Sequence, residues 1–162
     1  MIKNFCFYIV LLLTSDSFGK SQNLSAINSM FENYQKSFKS VTTVDPSDPA
    51  LNFKEFVIVD ARESYEREVS YIPDSISKAE FDQKKSAYKK NKILVYCTIG
   101  YRSGKLANDL KNAGMDAYNL KGGILLWIHS GRGLINKSGA TKSVHVFGKK
   151  WNLVPPGWTA IW

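Results

Sequence analysis

The chain has 162 residues, 44% of them hydrophobic, with 22 basic against 14 acidic side chains and a net charge of +8. That length and apolar share suit one globular domain with a real core, and they exclude a disordered chain or a repeat array. The positive balance comes partly from scattered pairs, Lys84-Lys85, Lys89-Lys90 and Lys149-Lys150, without a nucleic-acid-binding pattern. It predicts a solvated face whose field favours an anionic substrate.

Residues 1–19 carry Lys3, the apolar run Phe5 to Leu13, and small residues at Ser17 and Gly19. The run is too short to span a bilayer and reads as a secretory signal peptide, so the protein is expected to be exported, periplasmic or secreted, without a stable membrane anchor. Cys6 lies inside the run, which leaves Cys97 as the single cysteine after cleavage. A lone cysteine in an oxidising compartment is a reactive thiol or an intermolecular partner.

From Leu24, the residues Ile27, Phe31, Tyr34 and Phe38 follow at steps of three and four, which predicts an amphipathic helix within residues 20–40. Val41 to Val44 is a short strand, and the prolines of Asp45-Pro46-Ser47-Asp48-Pro49 make a loop. Phe56 to Asp60 is a continuous apolar strand, followed at once by a polar helical segment from Glu63 to Val69. Asp60 and Arg62 sit just past that strand and are expected to support the loops through hydrogen bonds or ion pairs. Tyr71 to Ile76 is a turn into a short edge strand, and Glu80 to Lys90 a lysine-rich helix.

Lys92 to Tyr96 is a third apolar strand, and Cys97 stands at its end. Downstream, Leu106, Ala107, Leu110 and Ala113 form one helical stripe, with Ser103 as N-cap and Gly114 as helix stop. A loop between a strand and a helix N-terminus points its backbone N–H groups into a small positive volume. That setting favours the thiolate form of Cys97, the nucleophile, while Arg102 adds a fork of donors for an oxyanion. Asp116 to Leu120 is a further strand, Gly122-Gly123 a site of close backbone approach, and Ile124 to Ile128 a final apolar helix. Residues 134–162 form an aromatic-rich extension carrying His145, Phe147, Trp151, Trp158 and Trp162, expected to pack on the domain and bury its tryptophans, with a wall for the cysteine loop or a partner surface as the alternative. His129 and His145 lack companion ligands at metal-binding spacing, so neither a metal nor a cofactor is expected.

Four stretches together resemble the rhodanese family of sulfurtransferases: Val59-Asp60-Ala61-Arg62-Glu63, Ile72-Pro73 with Ser75-Ile76, Val95 to Ser103, and Tyr118 to Ile124 with Trp127. The resemblance covers roughly Val41 to Gly131, with a domain placed at residues 41–133, and the tail is similar to an extension in some single-domain bacterial relatives. It implies an α/β, three-layer fold with a central parallel sheet of about five strands flanked by helices. It also implies a chemistry in which Cys97 takes the sulfane sulfur of thiosulfate or a similar donor and passes it to a thiol or cyanide. In that scheme Thr98, Ile99, Gly100, Tyr101, Arg102 and Ser103 bind the substrate, with Arg102 holding the donor or shaping the loop. The partners implied are a small anionic sulfur donor and a thiol acceptor, either a small molecule or a thiol-bearing protein. Two departures stand out: Ser70-Tyr71 replaces a Gly-His common in relatives, and Asp74 replaces a glycine after the proline.

Two other readings share the architecture. Phosphatases and arsenate reductases use a longer loop between cysteine and arginine, whereas Cys97 and Arg102 enclose four residues. A persulfide carrier, redox or interaction module would keep the cysteine with little turnover.

Overall fold

The structure is a computed structural model that describes the backbone from Ile2 to Trp162 and side chains from Gly19 onward. The side chains on which the signal-peptide expectation rests therefore lie outside the described residues. Helix α1 runs from Ile2 to Gln35, and no helix among the described residues is long and apolar enough to cross a membrane. The expected helix thus ends before Phe38, which is nevertheless buried in the turn that follows.

The sheet is built from β1 (Thr42–Val44), β2 (Phe56–Asp60), β3 (Ile76–Ser77), β4 (Lys92–Tyr96) and β5 (Asp116–Leu120). These five strands are all parallel and lie in the order β1-β5-β4-β2-β3. The apolar runs that suggested strands buried on both faces sit at its centre. Ile93, Leu94, Val95 and Tyr96 of β4 are each 0% exposed, and burying such a side chain stabilises by about 1.5–3 kcal/mol. Alternation splits them between two cores. Ile58, Leu94 and Tyr96 face α5 (Gly123–His129), with Ile27 of α1 in the same cluster. Val59, Ile93 and Val95 face Phe81 of α3 (Lys78–Gln83) and Ala107 and Leu110 of α4 (Tyr101–Asn112).

Local differences from the sequence reading have identifiable causes. The lysine-rich helix expected over 80–90 is broken into α3 and a short 3-10 turn, Lys85–Tyr88. It starts early because Ser77 and Glu80 form a capping box, and the break lets Tyr88 stack on Phe81, with ring centroids 5.8 Å apart. Ser103 is not the N-cap of α4. Gly100 is, and Ser103 lies on the buried face with Gly104, Ala107 and Leu110, while Ala113 is exposed. Asp74, the departure from glycine, has a φ of 62°, a left-handed conformation that aspartate tolerates better than most residues.

The remaining chain, through α2 (Ser64–Val69), the hairpin β6 (Leu134–Asn136) and β7 (Gly139–Thr141), and the parallel pair β8 (Ser143–His145) and β9 (Thr159–Ile161), covers the carboxyl edge of the sheet. Val144 and Val146 are 0% exposed and join the core, Trp158 packs against it, and Trp162 stays exposed. The extension therefore packs on the domain through its valines, but its tryptophans are not buried as expected: Trp151 and Trp158 are half-buried and Trp162 is exposed.

The close fit of α4 is testable at Gly104, where an added Cβ would fall 2.5 Å from the Phe38 ring. Gly104→Ala should lower the unfolding free energy by about 1–3 kcal/mol, and adding Phe38→Leu should recover part of it, as read by urea denaturation.

Candidate functional site

Cys97 follows the central strand at the carboxyl edge, where open parallel sheets place their ligands. It is 2% exposed and is the free cysteine among the described residues. The loop after it turns at Gly100, whose φ of 105° suits glycine, and whose missing side chain admits the Phe31 ring of α1. That turn brings the Gly100 N–H to 3.2 Å from Cys97 Sγ. The Ser103 hydroxyl, one turn into α4, lies 3.4 Å from the same sulfur and 2.7 Å from Asn119 Oδ1. Asn119 Oδ1 takes the single hydroxyl proton of Ser103, so the Ser103 oxygen faces the sulfur as an acceptor for the thiol and the Gly100 N–H is the donor to Sγ. Asn119 of β5 in turn donates from Nδ2 to the Gly100 carbonyl at 3.0 Å, which locks the loop to the sheet.

From behind, the N-terminus of α5 holds the loop. The Ile124 N–H donates to the Cys97 carbonyl at 2.9 Å and the Leu125 N–H to that of Thr98 at 3.3 Å. Gly123 makes this approach possible: with a φ of 55°, any Cβ there would stand 2.4 Å from the Cys97 carbonyl oxygen.

Arg102 does not point its fork into empty space. Its Nη1 and Nη2 donate to Glu66 Oε2 and Oε1 at 2.6 and 2.8 Å, and Nη2 also reaches Thr98 Oγ1 at 3.2 Å. Glu66 lies on α2, is fully buried, and accepts the Glu63 N–H through Oε2 at 3.0 Å. Burial pushes its carboxyl up, but the Arg102 hydrogen bonds and the Glu63 amide more than reverse this and hold it below the ordinary value of 4.5. His145 Nδ1 of the C-terminal extension sits 3.7 Å from Glu66 Oε1 and accepts the Phe147 N–H at 3.2 Å, which places its proton on Nε2. Burial depresses the imidazole below its usual range, with Arg62 and Arg102 adding to this against the opposing pull of Glu66.

Asp60 and Arg62 form a second buried pair, bidentate at 2.9 and 2.8 Å, with Arg62 also donating to the Ser70 carbonyl at 2.7 Å. Tyr96 donates to Asp60 Oδ2 at 2.6 Å, and burial with the adjacent Asp60 charge raises its hydroxyl far above the usual range. Burial pushes the Asp60 carboxyl up and the Arg62 charge overrides it, holding the group below 3.8. This network braces the chain beneath Cys97.

A small cavity of about 90 Å³ opens on the sulfur, lined by Cys97, Thr98, Ile99, Tyr101 and Arg102, with Phe147 and Trp151 from the extension. Of the residues singled out in the sequence as substrate-binding, Gly100 and Ser103 stand outside this lining and act on the sulfur from below. Glu66 and Asn119 were missed as site residues, whereas Phe147 and Trp151 line the cavity in line with the alternative that the extension walls the cysteine loop. An amide inside an apolar strand was the available signal for Asn119. The acid of Glu66 looked like one more charge on a polar helix.

A rhodanese-like domain model matches residues 47–130, just over half of the chain, and the chain belongs to that family. Among solved structures, a rhodanese-related protein from Thermoplasma volcanium is 27% identical, with a TM-score of 0.52 over 58% of this chain and 97% of that one. A protein from Rhodopseudomonas palustris described as a possible tyrosine phosphatase is 24% identical, with a TM-score of 0.52 over 65% of this chain and 91% of its own. A thiosulfate sulfurtransferase from Pseudomonas aeruginosa is 22% identical, with a TM-score of 0.55 over 68% of this chain and 23% of that one. The last two share the fold. No curated protein matches the chain.

Because Glu66 is held low in the folded state, its stabilising effect is complete above its ordinary value of 4.5 and is lost as pH falls through the lower folded value. Glu66→Gln should therefore destabilise at neutral pH by about 1–3 kcal/mol, a range reduced because Arg102 is part exposed. It should also flatten the acid limb of stability, measured by urea denaturation between about pH 2 and pH 7. An unchanged acid limb would assign that limb to other carboxylates such as Asp60.

Proposed function

We propose that the protein is a sulfurtransferase that moves a sulfane sulfur through a persulfide on Cys97. The observation that carries this reading is the Gly100 N–H held 3.2 Å from Cys97 Sγ by the loop at the head of α4. A thiolate at this position is the nucleophile that sulfur transfer needs. With thiosulfate as donor, the Cys97 thiolate attacks the outer sulfur. The new bond is Cys97 Sγ to sulfane sulfur, the old sulfur–sulfur bond breaks, and its electron pair leaves with sulfite. An acceptor thiolate or cyanide then attacks the sulfane sulfur, and the electron pair of the persulfide bond returns to Cys97 Sγ. No general base is required, since sulfite is a stable leaving group.

Within this reading Arg102 acts chiefly by shaping the loop. Its fork is engaged by Glu66, so the donor's anionic end meets the remaining positive field of the guanidinium and the basic surface. The loop of four residues between Cys97 and Arg102 supports sulfur over phosphate chemistry, as does the lack of an acid to protonate a leaving oxygen within it. A second reading, a persulfide carrier with slow turnover, is favoured by the aromatic roof over a sulfur that is 2% exposed. An exported location fits either reading, with an acceptor kept reduced in an oxidising compartment.

Intact-protein mass spectrometry is the test, on the wild type and on Cys97→Ser, before and after thiosulfate. The wild type should gain one sulfur atom and lose it to cyanide as thiocyanate, and Cys97→Ser should gain none. Equal gain by both proteins would remove Cys97 from the reaction. A persulfide that forms but resists both cyanide and thiols would identify the carrier.

A further inference from the structure

The C-terminal extension contributes two of the seven residues that line the cavity at the reactive sulfur, Phe147 and Trp151. Phe147 and Trp151 meet edge to face with ring centroids 6.2 Å apart, and Trp151 stacks on Tyr34 of α1 at 6.4 Å. Tyr34 also packs against Tyr101 at 5.2 Å, so the ring of aromatics closes from the extension through α1 to the first residue of α4. Arg102 lies beneath Phe147, its guanidinium carbon 5.5 Å from the ring centroid. Ile99, Tyr101, Phe147 and Trp151 thus form an apolar collar around Cys97, interrupted by Thr98 and Arg102.

Phe147 is held in place at a conformational cost. Its φ is 66°, a left-handed backbone rare for an aromatic residue, and its ring is 59% exposed, so core packing does not explain the conformation. Two hydrogen bonds hold it: the Phe147 N–H to His145 Nδ1 at 3.2 Å, and the Gly148 N–H to the Val146 carbonyl at 2.7 Å, closing a tight turn across Phe147. The ends of the segment are fixed independently. Val144 and Val146 are buried, β8 pairs with β9, and the Leu153 carbonyl lies 2.7 Å from His129 Nε2. Strain in a side chain aimed at a reactive group is the pattern of a functional contact.

Such a collar discriminates between reactants. A hydrated dianion gains little from aromatic walls, because it would shed water without new hydrogen bonds. A thiol on an apolar carbon body gains by burying that body. The cavity of about 90 Å³ is smaller than the one of about 150 Å³ that takes a benzene, which leaves room for a short aliphatic chain. We propose that Phe147 and Trp151 select the sulfur acceptor, and that it is a small thiol with an apolar carbon body. This rests on the reading of the protein as a sulfurtransferase that passes sulfane sulfur from donor to acceptor through Cys97. In the selected step the acceptor thiolate attacks the sulfane sulfur, a bond forms between them, and the pair from the broken bond remains on Cys97 as thiolate. The product is the acceptor's persulfide, and no external oxidant or reductant is consumed.

The test uses two nearly isosteric thiols, 1-propanethiol and 2-mercaptoethanol, which differ by a methyl in place of a hydroxyl. Protein loaded with thiosulfate, or with inorganic polysulfide where thiosulfate fails, is mixed with each thiol. At intervals the protein is separated from the thiols by desalting, and the persulfide it still carries is titrated with cyanide as thiocyanate. Dividing the rate for propanethiol by that for mercaptoethanol, and comparing this ratio between wild type and variant, cancels the intrinsic reactivity of each thiol. Enclosing one methyl-sized group is worth about 10–200-fold in a closed pocket, so an open collar should give about 5–10-fold. The ratio should fall by that factor in Trp151→Ala and in Phe147→Ala, whose exposed side chain makes its removal mild for folding. A ratio unchanged within about twofold in Phe147→Ala, with the persulfide formed normally, overturns the collar's role and leaves the transfer reading intact. Loading by polysulfide but not by thiosulfate removes thiosulfate as donor, and the collar is still measured. Failure of both to load Cys97 overturns the transfer reading and the collar's role with it.

Discussion

The carboxylate of Glu66 is the point at which the separate parts of the site meet. It is buried, and a buried carboxylate without partners is costly enough to unfold or protonate. Its donors come from three places: Arg102 from the head of α4, the Glu63 N–H from the start of α2, and the Thr98 hydroxyl, 3.4 Å from Oε1, from the loop itself. Because Arg102 can satisfy both carboxylate oxygens only with its planar fork aligned, the pair fixes the orientation of the first turn of α4 relative to α2. The reactive loop is the segment between that turn and the end of β4. Its freedom is therefore removed at one end by the sheet and at the other by the ion pair.

The second ion pair, between Asp60 and Arg62, answers a different need. Tyr96 is the last residue of the central strand, and its hydroxyl donates to Asp60 and lies 3.2 Å from both the Ile72 N–H and Ser75 Oγ. Strand end, the turn containing Asp74, and the entry to α2 are thus joined below the cysteine rather than around it. The two charged networks in this region differ in balance: Glu66 and Arg102 neutralise each other, whereas Asp60 lies between Arg62 and Arg67 and leaves a net positive charge. Neither leaves a formal negative charge facing the sulfur to oppose a thiolate.

The strand-and-helix order, the parallel sheet and the position of Cys97 were legible because they depend on continuous apolar runs and on glycines with a steric purpose. Gly123 is the clearest case, since the contact of α5 with the Cys97 carbonyl excludes a side chain. What escaped depends on long-range partners. Ser103 has every local property of a cap, yet Asn119, sixteen positions away, draws its hydroxyl inward. The lysine-rich segment after Phe81 has helical propensity throughout, but stacking of Phe81 on Tyr88 outweighs it. Arg102 was readable as a cation for an anion. Its engagement by Glu66, thirty-six positions away, was not.

In the proposed scheme the extension gives a general cradle its selectivity. A donor aimed at the sulfur recognises negative charge and little else, so the loop alone does not distinguish among reactants that bring a suitable anion or thiol. That task falls to the walls, and two of their seven residues, Phe147 and Trp151, lie outside residues 47–130. Phe147 owes its left-handed backbone partly to the acceptor nitrogen of His145, and His145 lies beside Glu66. Arg102 links the roof to the cradle, since its guanidinium engages Glu66 and lies beneath the Phe147 ring. A change at Glu66 that frees Arg102 therefore alters both the loop and the underside of the aromatic wall.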